Sequence, residues 1–263
     1  MALSIPRGGG SDPPEEAVND FGPIADVYDD LVAWAPYREW VDELEARLRH
    51  YGLPRRASLL DAACGTGLST LPWLEKGYRV TAFDQSREAL KIARSKVRGR
   101  NFPVRFLRRD LLRLDLGGPF DAAICMHSGL DYLLADDKLR RALRELRKPL
   151  RAGSLLSFDK CLHRPGFYRD PVTTRRELPG GEAVLRHSWD RDRRLMKQEC
   201  TVIRKSGGEE TRRDRVVFYM KAVPVEELVE MTEDAGFETL EKPRPFRVDD
   251  PGMGIFRAVD GGS

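Results

Sequence analysis

The stretch Leu59-Leu-Asp-Ala-Ala-Cys-Gly-Thr-Gly67 combines a short apolar strand with a glycine-rich turn, and a helical pattern follows it. Glycines at positions 65 and 67 let the backbone pass close to a ligand because no Cβ stands in the way. Asp61, at the end of the strand, can accept hydrogen bonds from loop amides or, through water, from an ammonium group. The first amides of the next helix are free to bind a carboxylate. We therefore predict a ligand-binding strand–turn–helix unit.

Short apolar strands and amphipathic helices alternate around this unit. The predicted strands are Ser58–Ala62, Arg79–Phe83, Val104–Arg108, Phe120–Met126, Ser154–Asp159, Glu238–Glu241 and Gly254–Val259. The predicted helices are Leu68–Lys76, Arg87–Arg98, Asp136–Leu150 and Pro224–Ala235. The β-α-β-α order implies parallel strands with helices on both faces. The predicted fold is a doubly wound, Rossmann-like α/β fold with a seven-stranded, mostly parallel sheet.

The pattern divides the chain into three parts. Residues 1–20 are rich in Gly, Pro and acidic residues and predict a flexible N-terminal arm. Residues 21–160 and 223–263 form the predicted core, which begins with lid helices broken near Trp34–Pro36. Residues 161–222 predict a β insertion, with antiparallel runs at Ala183–Trp189, Leu195–Arg204 and Thr211–Met220. We expect the insertion to cover a substrate or to form a homodimer contact.

Composition narrows the function classes. The net charge is +3, and basic residues alternate with acidic ones, which favours a solvated surface over a nucleic-acid-binding tract. No apolar run approaches the roughly 20 residues of a membrane span. The N-terminus has no apolar signal region, so we expect a cytoplasmic protein. The four cysteines include no CxxC pair, so we predict neither a structural metal site nor a disulfide framework.

Two further acids follow the next predicted strands. Asp84 ends the segment Arg79-Val-Thr-Ala-Phe-Asp84, where a carboxylate is well placed to bind ribose hydroxyls. Asp110 follows the third strand and can accept from an adenine amino group. Ligands of open α/β sheets bind outside the carboxyl ends of the strands, where all three acids are expected to lie. We predict a nucleoside cofactor site here, with Ala63 and Gln85 as additional members.

The successive motifs LLDAACGTG, VTAFDQS, RRDLL and FDAAICM resemble those of class I S-adenosylmethionine (SAM)-dependent methyltransferases. Threonine replaces the third glycine of GxGxxG, which weighs against a dinucleotide-binding dehydrogenase, and no P-loop is present. The resemblance implies that Gly65 and Gly67 contact the methionine part of SAM and that Asp84 binds the ribose. It further implies Asp110 and Leu111 at the adenine, with Met126 lining the pocket.

The layout is similar to small-molecule N-methyltransferases, including dimethyltransferases of nucleotide-linked amino sugars. Tyr28 matches an early tyrosine of that family, which implies a lid contact to SAM. The family's Gly-His-Leu is replaced by Asp131-Tyr132-Leu133, so the resemblance does not identify an amino-sugar substrate. Candidate proton acceptors are His127, Asp131 and Tyr132. Further candidates are apolar walls at Trp34, Tyr37 and Trp189 and anion contacts at Arg164, Arg169 and Arg186.

Four functions remain open from the sequence. The first is transfer of a methyl group to an N or O nucleophile of a small molecule by in-line displacement. The second is methylation of RNA, DNA or protein, although Met126-His-Ser-Gly129 stands where amino-directed nucleic-acid methylases carry Asn or Asp, two prolines and an aromatic residue. A non-catalytic SAM-binding module and a dehydrogenase are the third and fourth.

Overall fold

A computed structural model gives the fold and describes residues 21–163 and 171–260. Its α-helices are α1 Tyr28–Leu31, α2 Tyr37–His50, α3 Thr70–Glu75, α4 Arg87–Lys96, α5 Asp136–Arg147 and α6 Val225–Asp234. Two 3₁₀ helices cover Gly22–Val27 and Gly129–Tyr132. The predicted break near Trp34–Pro36 is confirmed, since α1 ends before it and α2 begins after it. Across the described ranges no helix is long and apolar enough to cross a bilayer.

Eleven strands in the described ranges form two sheets. They are β1 Ser58–Ala62, β2 Arg79–Asp84, β3 Val104–Arg108, β4 Phe120–Cys125, β5 Leu150–Phe158, β6 Val172–Leu178, β7 Gly181–Asp190, β8 Leu195–Ser206, β9 Glu209–Lys221, β10 Phe237–Glu241 and β11 Gly254–Ala258. The larger sheet has seven strands in the order β10-β11-β5-β4-β1-β2-β3. Strands β1 to β5 run parallel, and β11 runs antiparallel to both of its neighbours, β10 and β5. The predicted seven-stranded, mostly parallel sheet is confirmed.

Helices cover both faces of this sheet because its strands send alternate side chains to opposite sides. Leu60 and Ala62 of β1 join a cluster with α5 and α6, whereas Leu59 joins one with α2, α3 and α4. In α5 the inward positions share a spacing of three and four residues, as expected for an amphipathic helix. These positions are Leu139, Ala142, Leu143 and Leu146, all buried.

The end of α5 and the start of β5 differ from the prediction. The helix ends at Arg147 rather than Leu150, and β5 begins at Leu150 rather than Ser154. Pro149 explains the difference, since proline disfavours helix at the residue before it and cannot donate to a helical hydrogen bond. The carbonyl oxygen of Pro149 instead accepts from the amide of Phe120, which joins β5 to β4 at this point.

The insertion forms a four-stranded antiparallel sheet in the order β6-β7-β8-β9. Strand β6 was not predicted, because its sequence Val172-Thr-Thr-Arg-Arg-Glu-Leu178 is mostly exposed and pairs only with β7 at the edge of the sheet. One face of the sheet carries apolar side chains such as Val202 and Phe218, which pack against Ile24 and Leu31. The segment of residues 22–32, here called the N-terminal segment, is therefore held against the insertion.

A buried ion pair joins the insertion to the core. Lys160, just beyond β5, lies 2.9 Å from Asp131, and the two side chains are 0% and 1% exposed. The Lys160 ammonium also donates to the carbonyl of Lys221 at the end of β9, and Asp131 accepts from the amide of Cys161 at 2.8 Å. The end of β5, the Gly129–Tyr132 helix and the end of β9 are thus fixed together.

The substitution Lys160→Ala should lower the free energy of unfolding by about 3–5 kcal/mol, because it leaves the Asp131 carboxylate buried without its partner. Urea denaturation monitored by circular dichroism measures this. Arg140→Ala is the matched control, since Arg140 pairs with Asp234 at 2.5 Å in solvent, where an ion pair contributes only about 0–1 kcal/mol. Equal losses in the two variants would contradict the structural importance of the buried pair.

Candidate active site

The glycine-rich turn after β1 is fixed by its neighbours and opens to a cleft. Gly65 and Gly67 have φ values of +54° and +80°, which glycine adopts without a Cβ penalty. An added Cβ at Gly67 would lie 3.2 Å from the Cβ of Ala93 in α4, so this glycine also permits the turn to approach that helix. An added Cβ at Gly65 would meet no atom within 4 Å. Gly65 therefore presents bare backbone to open space, as a ligand-binding turn requires.

Asp61 stabilises the chain just after the glycine-rich turn. Its carboxylate accepts from the hydroxyls of Thr70 at 2.6 Å and Ser69 at 3.1 Å, rather than from the loop amides that the sequence suggested. Burial raises its pKa to about 6, and the two hydroxyls partly offset that effect. Asp61 is 2% exposed and is not among the described residues lining the large cavity. Its direct role in this structure is to hold the first turn of α3 against β1.

Asp84 connects the turn to the end of β2. One carboxylate oxygen accepts from the amide of Gly65 at 2.9 Å, and the other accepts from the amide of Ser86 at 2.8 Å. Burial raises the pKa of Asp84, while these backbone amides oppose that rise. The amide of Gln85 also acts on this carboxylate, and a carboxylate has about four acceptor positions, so acceptor capacity remains. Asp84 lines the cavity, where that remaining capacity can accept from a ligand hydroxyl.

A cavity of about 960 Å³ lies along the carboxyl ends of the strands. Its volume falls in the upper part of the range for small-molecule sites, about 300–1,000 Å³. The sequence-predicted residues that line it are Tyr28, Ala63, Gly65, Asp84, Gln85, Asp110, Leu111, His127 and Tyr132. The three successive strand ends therefore open onto one cavity, as the crevice rule predicts. Met126 lines a smaller adjoining cavity with Tyr28, Tyr37 and His127.

The turn after β3 carries the two residues predicted to contact adenine. Asp110 accepts from the amide of Leu112 at 2.9 Å, and its backbone pairs with Arg113. This turn presents Asp110 and Leu111 to the cavity. A carboxylate beside backbone amides is a donor–acceptor set that suits a purine edge, so these residues fit the nucleoside group that the sequence predicted.

His127 and Ser128 follow β4 in an unusual conformation. Their φ values are +64° and +68°, in the left-handed region that side chains rarely adopt. The amide and hydroxyl of Ser128 lie 2.7 Å and 3.4 Å from one oxygen of Asp159 and donate to it. The amide of His127 also stabilises this carboxylate. Asp159 thus holds two strained residues in place, and strain of this kind is concentrated at functional sites.

Asp159 was predicted only as the end of a strand. It is 3% exposed, and its second oxygen has no hydrogen-bond partner within residues 21–163 and 171–260. Burial and the nearby charge of Asp131 raise its pKa to about 7, against the stabilising amides of the turn. Its sequence position after an apolar strand was a usable signal, because that is where the other site acids lie.

The His127 ring is enclosed by aromatic side chains. Its centroid lies 5.4 Å from Tyr37, 5.7 Å from Trp40 and 5.9 Å from Trp34, each in an edge-on arrangement. Burial lowers its pKa to about 4, so the imidazole is neutral at physiological pH. The Tyr37 hydroxyl and His127 Nδ1 are hydrogen-bonded. His127 therefore offers a neutral, oriented ring to the cavity.

The other candidate proton acceptors lie in different surroundings. Tyr132 lines the cavity and packs edge-on against Phe21 at 5.3 Å, and burial raises its pKa well above 10. Asp131 is engaged in the ion pair with Lys160 and is not among the described cavity-lining residues. Its carboxylate has a structural partner, which sequence reasoning missed because the two residues are far apart in the chain.

The predicted walls and anion contacts are placed as follows. Tyr37 lines the smaller cavity, and Trp34 packs on His127. Neither Trp189 nor Arg186 is among the described residues lining either cavity, and Arg186 is exposed on β7. The insertion instead contributes Arg193, Leu195 and Lys221. The predicted contacts at Arg164 and Arg169 lie outside the described residues.

The pKa of the Asp159 carboxyl is about 7 in the folded protein and about 4 in an unfolded chain. We therefore expect the stability of wild type relative to Asp159→Asn to depend on pH. The protonated carboxyl contributes fully below about pH 4, and that contribution is lost as the pH rises toward 7. Between pH 5 and pH 7, wild type should therefore lose about 2–3 kcal/mol relative to the Asn variant. Urea denaturation at several pH values measures the difference. Asp115→Asn, at an exposed position, is the control, and a pH-independent difference for Asp159→Asn would refute the assignment.

Comparison with known proteins shows which family the central part of the chain resembles. Residues 59–153 match the family model described as a methyltransferase domain. YqeM of Bacillus subtilis (strain 168), a candidate methyltransferase, is 34% identical over 137 residues, 52% of this chain and 53% of that protein. A glycine/sarcosine N-methyltransferase of Parasynechococcus marenigrum (strain WH8102) is 31% identical over 55% of this chain and 50% of its own length. The chain thus spans about half the length of these relatives.

A third relative matches over a slightly larger share of both proteins. The dTDP-4-amino-2,3,4,6-tetradeoxy-D-glucose N,N-dimethyltransferase of Saccharopolyspora spinosa is 32% identical over 163 residues, 61% of this chain and 63% of that protein. Among solved structures, the sugar N-methyltransferase KedS8 from Streptoalloteichus sp ATCC 53650 matches with a TM-score of 0.74 and 22% identity, covering 99% of both chains. At that identity the structural match establishes the fold, including the insertion. The predicted resemblance to methyltransferases is confirmed for residues 59–153, the part of the chain that the family model matches.

Proposed function

We propose that this protein transfers a methyl group from SAM to a nitrogen of a small molecule, since its residues 59–153 match the methyltransferase domain family. One observation carries the proposal. The glycine-rich turn at Gly65, which is hydrogen-bonded to Asp84, opens onto the same cavity as the neutral ring of His127. The edge that suits a nucleoside therefore lies beside a polar group that suits a methyl acceptor. When bound, SAM supplies a methyl group made electrophilic by its sulfonium.

In this proposal the cofactor occupies the part of the cavity next to the carboxyl ends of the strands. The remaining acceptor capacity of Asp84 binds a ribose hydroxyl, and Asp110 with Leu111 binds the adenine. Gly65 allows the backbone to approach the amino-acid part of the ligand. Tyr28 covers this region from the N-terminal segment, which is held in place because Asp29 accepts from the Thr66 hydroxyl at 2.6 Å and pairs with Lys96 at 2.5 Å.

The methyl acceptor occupies the part of the cavity that is lined by His127, Tyr132 and the insertion. A neutral amine needs mainly alignment with the methyl group and exclusion of water, and alignment can supply up to about 7–11 kcal/mol of the barrier. The aromatic groups around His127 exclude water, and its neutral imidazole can orient the amine through a hydrogen bond. A nitrogen acceptor is favoured because two of the three relatives named above are N-methyltransferases, one of glycine and sarcosine and one of an amino sugar.

Calorimetry with Asp84→Asn tests the cofactor half. The substitution removes the charge but keeps one acceptor oxygen, and a hydrogen bond to a charged group contributes about 1.5–3 kcal/mol. We expect SAM and S-adenosylhomocysteine to bind roughly 10–100-fold more weakly. Asp115→Asn, at an exposed position that lines neither cavity, should bind them as wild type does. Unchanged affinity in Asp84→Asn, or preferential binding of NAD by wild type, would exclude the proposed cofactor assignment.

Transfer of radiolabelled methyl groups from SAM tests the acceptor half. The acceptors to compare are glycine, sarcosine and dTDP-linked 4-amino sugars, each beside its hydroxyl analogue, with total RNA as a macromolecular acceptor. We expect label on a nitrogen, identified by mass spectrometry, and a loss of rate in His127→Gln without a loss of SAM affinity. Label on hydroxyl oxygen or on RNA would show that the acceptor class is different.

A further inference from the structure

The N-terminal segment, residues 22–32, packs on the insertion rather than on the parallel sheet. Its buried Ile24 and Leu31 belong to the apolar cluster formed with the insertion and, among the described residues, to neither of the two clusters around the parallel sheet. The Arg176 guanidinium of β6 also donates to the carbonyl oxygen of Leu31 at 2.9 Å. Apolar contacts of this kind result from the burial of surface and need no particular geometry. The segment and the insertion therefore form one packed unit.

On the side of the parallel sheet, the segment is held by the carboxylate of Asp29. One carboxylate oxygen accepts from the Thr66 hydroxyl at 2.6 Å, and the other lies 2.5 Å from the ammonium nitrogen of Lys96, the last residue of α4. That nitrogen is buried, and no other described residue pairs with it. Thr66 stands between Gly65 and Gly67 and is only 3% exposed. A single carboxylate thus bridges the segment to the glycine-rich turn and to α4.

This bridge fixes part of the cavity wall. Tyr28, directly before Asp29, lines both cavities together with Gly65 and Thr66, and Ala25 lines the large cavity. The bridge consists of groups of the protein itself, so it forms whether or not a ligand is bound. It must break whenever the segment moves away from the turn. A contact of this kind raises the barrier to entry and to departure of a ligand alike, and it changes the affinity little.

We propose that Asp29 is a positioning residue of the cofactor site: by bridging Thr66 and Lys96 it holds the N-terminal segment closed over the glycine-rich turn, and it thereby sets how fast the cofactor enters and leaves. The segment opens when these two polar contacts break, while its apolar contacts with the insertion are kept. Asp29 differs in this respect from Asp84, whose loss lowers the affinity. That the ligand is SAM rests on the proposed function, whereas the closure of the segment does not.

Stopped-flow measurement of S-adenosylhomocysteine binding to the full chain tests the kinetic role. In Asp29→Ala we expect association and dissociation both to become about 10–100-fold faster, the change that corresponds to one lost hydrogen bond to a charged group. The Kd should stay nearly unchanged. Lys96→Met breaks one half of the bridge and should accelerate both rates as well. Since the two residues act through one contact, the double variant should exceed Asp29→Ala by little.

Asp26→Ala is the matched control on the same segment. Asp26 pairs with Arg204 of the insertion at 2.7 Å, and its carboxylate is 62% exposed, so the pair contributes little. Both rates should equal those of wild type. Thermal melting establishes that the variants are folded, and Asp29→Asn, which keeps an acceptor for Thr66, should give a smaller acceleration. Unchanged rates in Asp29→Ala, faster dissociation with unchanged association, or the same acceleration in Asp26→Ala would overturn the proposal.

Hydrogen–deuterium exchange without any ligand separates this proposal from the cofactor assignment. Opening of the segment uncovers the glycine-rich turn, so peptides that contain Thr66 should exchange faster in Asp29→Ala than in wild type or in Asp26→Ala. Equal exchange in all three proteins would refute the closure of the segment even if S-adenosylhomocysteine binds. Wild type that does not bind S-adenosylhomocysteine would refute the cofactor assignment, and faster exchange in Asp29→Ala would still support the closure.

Discussion

The ion pair between Lys160 and Asp131 is the constraint on which the site depends. Removing two charges from water costs several kcal/mol for each ion, so such a pair persists only when its remaining hydrogen bonds are made. Here Asp131 also accepts from the Cys161 amide, and Lys160 also donates to the Lys221 carbonyl. These bonds fix three separate chain segments at the point where the parallel sheet gives way to the insertion.

The residue before Lys160 extends this constraint into the cavity. Asp159 holds the amide of Ser128, and Lys160 holds the carboxylate of Asp131, so two consecutive residues clamp both ends of the turn after β4. Two left-handed non-glycine residues in that turn cost roughly 1–2 kcal/mol each. They persist because the surrounding contacts leave no alternative. The backbone of His127 is therefore positioned by residues at the end of β5, whereas its ring is held by the aromatic side chains around it.

The sequence was informative wherever the determinant is local. Apolar alternation in β1 and helical spacing in α5 are visible within a few residues, and Asp84 follows its strand directly. The pairing of Lys160 with Asp131 was not visible, because the partners are 29 residues apart and neither charge looks unusual in its own segment. Strand β6 was missed for a related reason, since its exposed side chains carry no alternation and its pairing with β7 alone makes it a strand.

The N-terminal segment links the two halves of the cavity through contacts of unequal strength. The Arg204–Asp26 pair contains a mostly exposed carboxylate, and such pairs contribute little. The apolar contacts are more substantial: Ile24 and Leu31 are buried against the insertion, and Phe21, the residue before the segment, stacks on Phe218 with ring centroids 4.1 Å apart. On its other side the segment contacts the glycine-rich turn after β1 through the hydrogen bond between Asp29 and Thr66. Because Tyr28 belongs to this segment and lines both cavities together with His127, a ligand that moves the segment also changes the cavity wall beside His127.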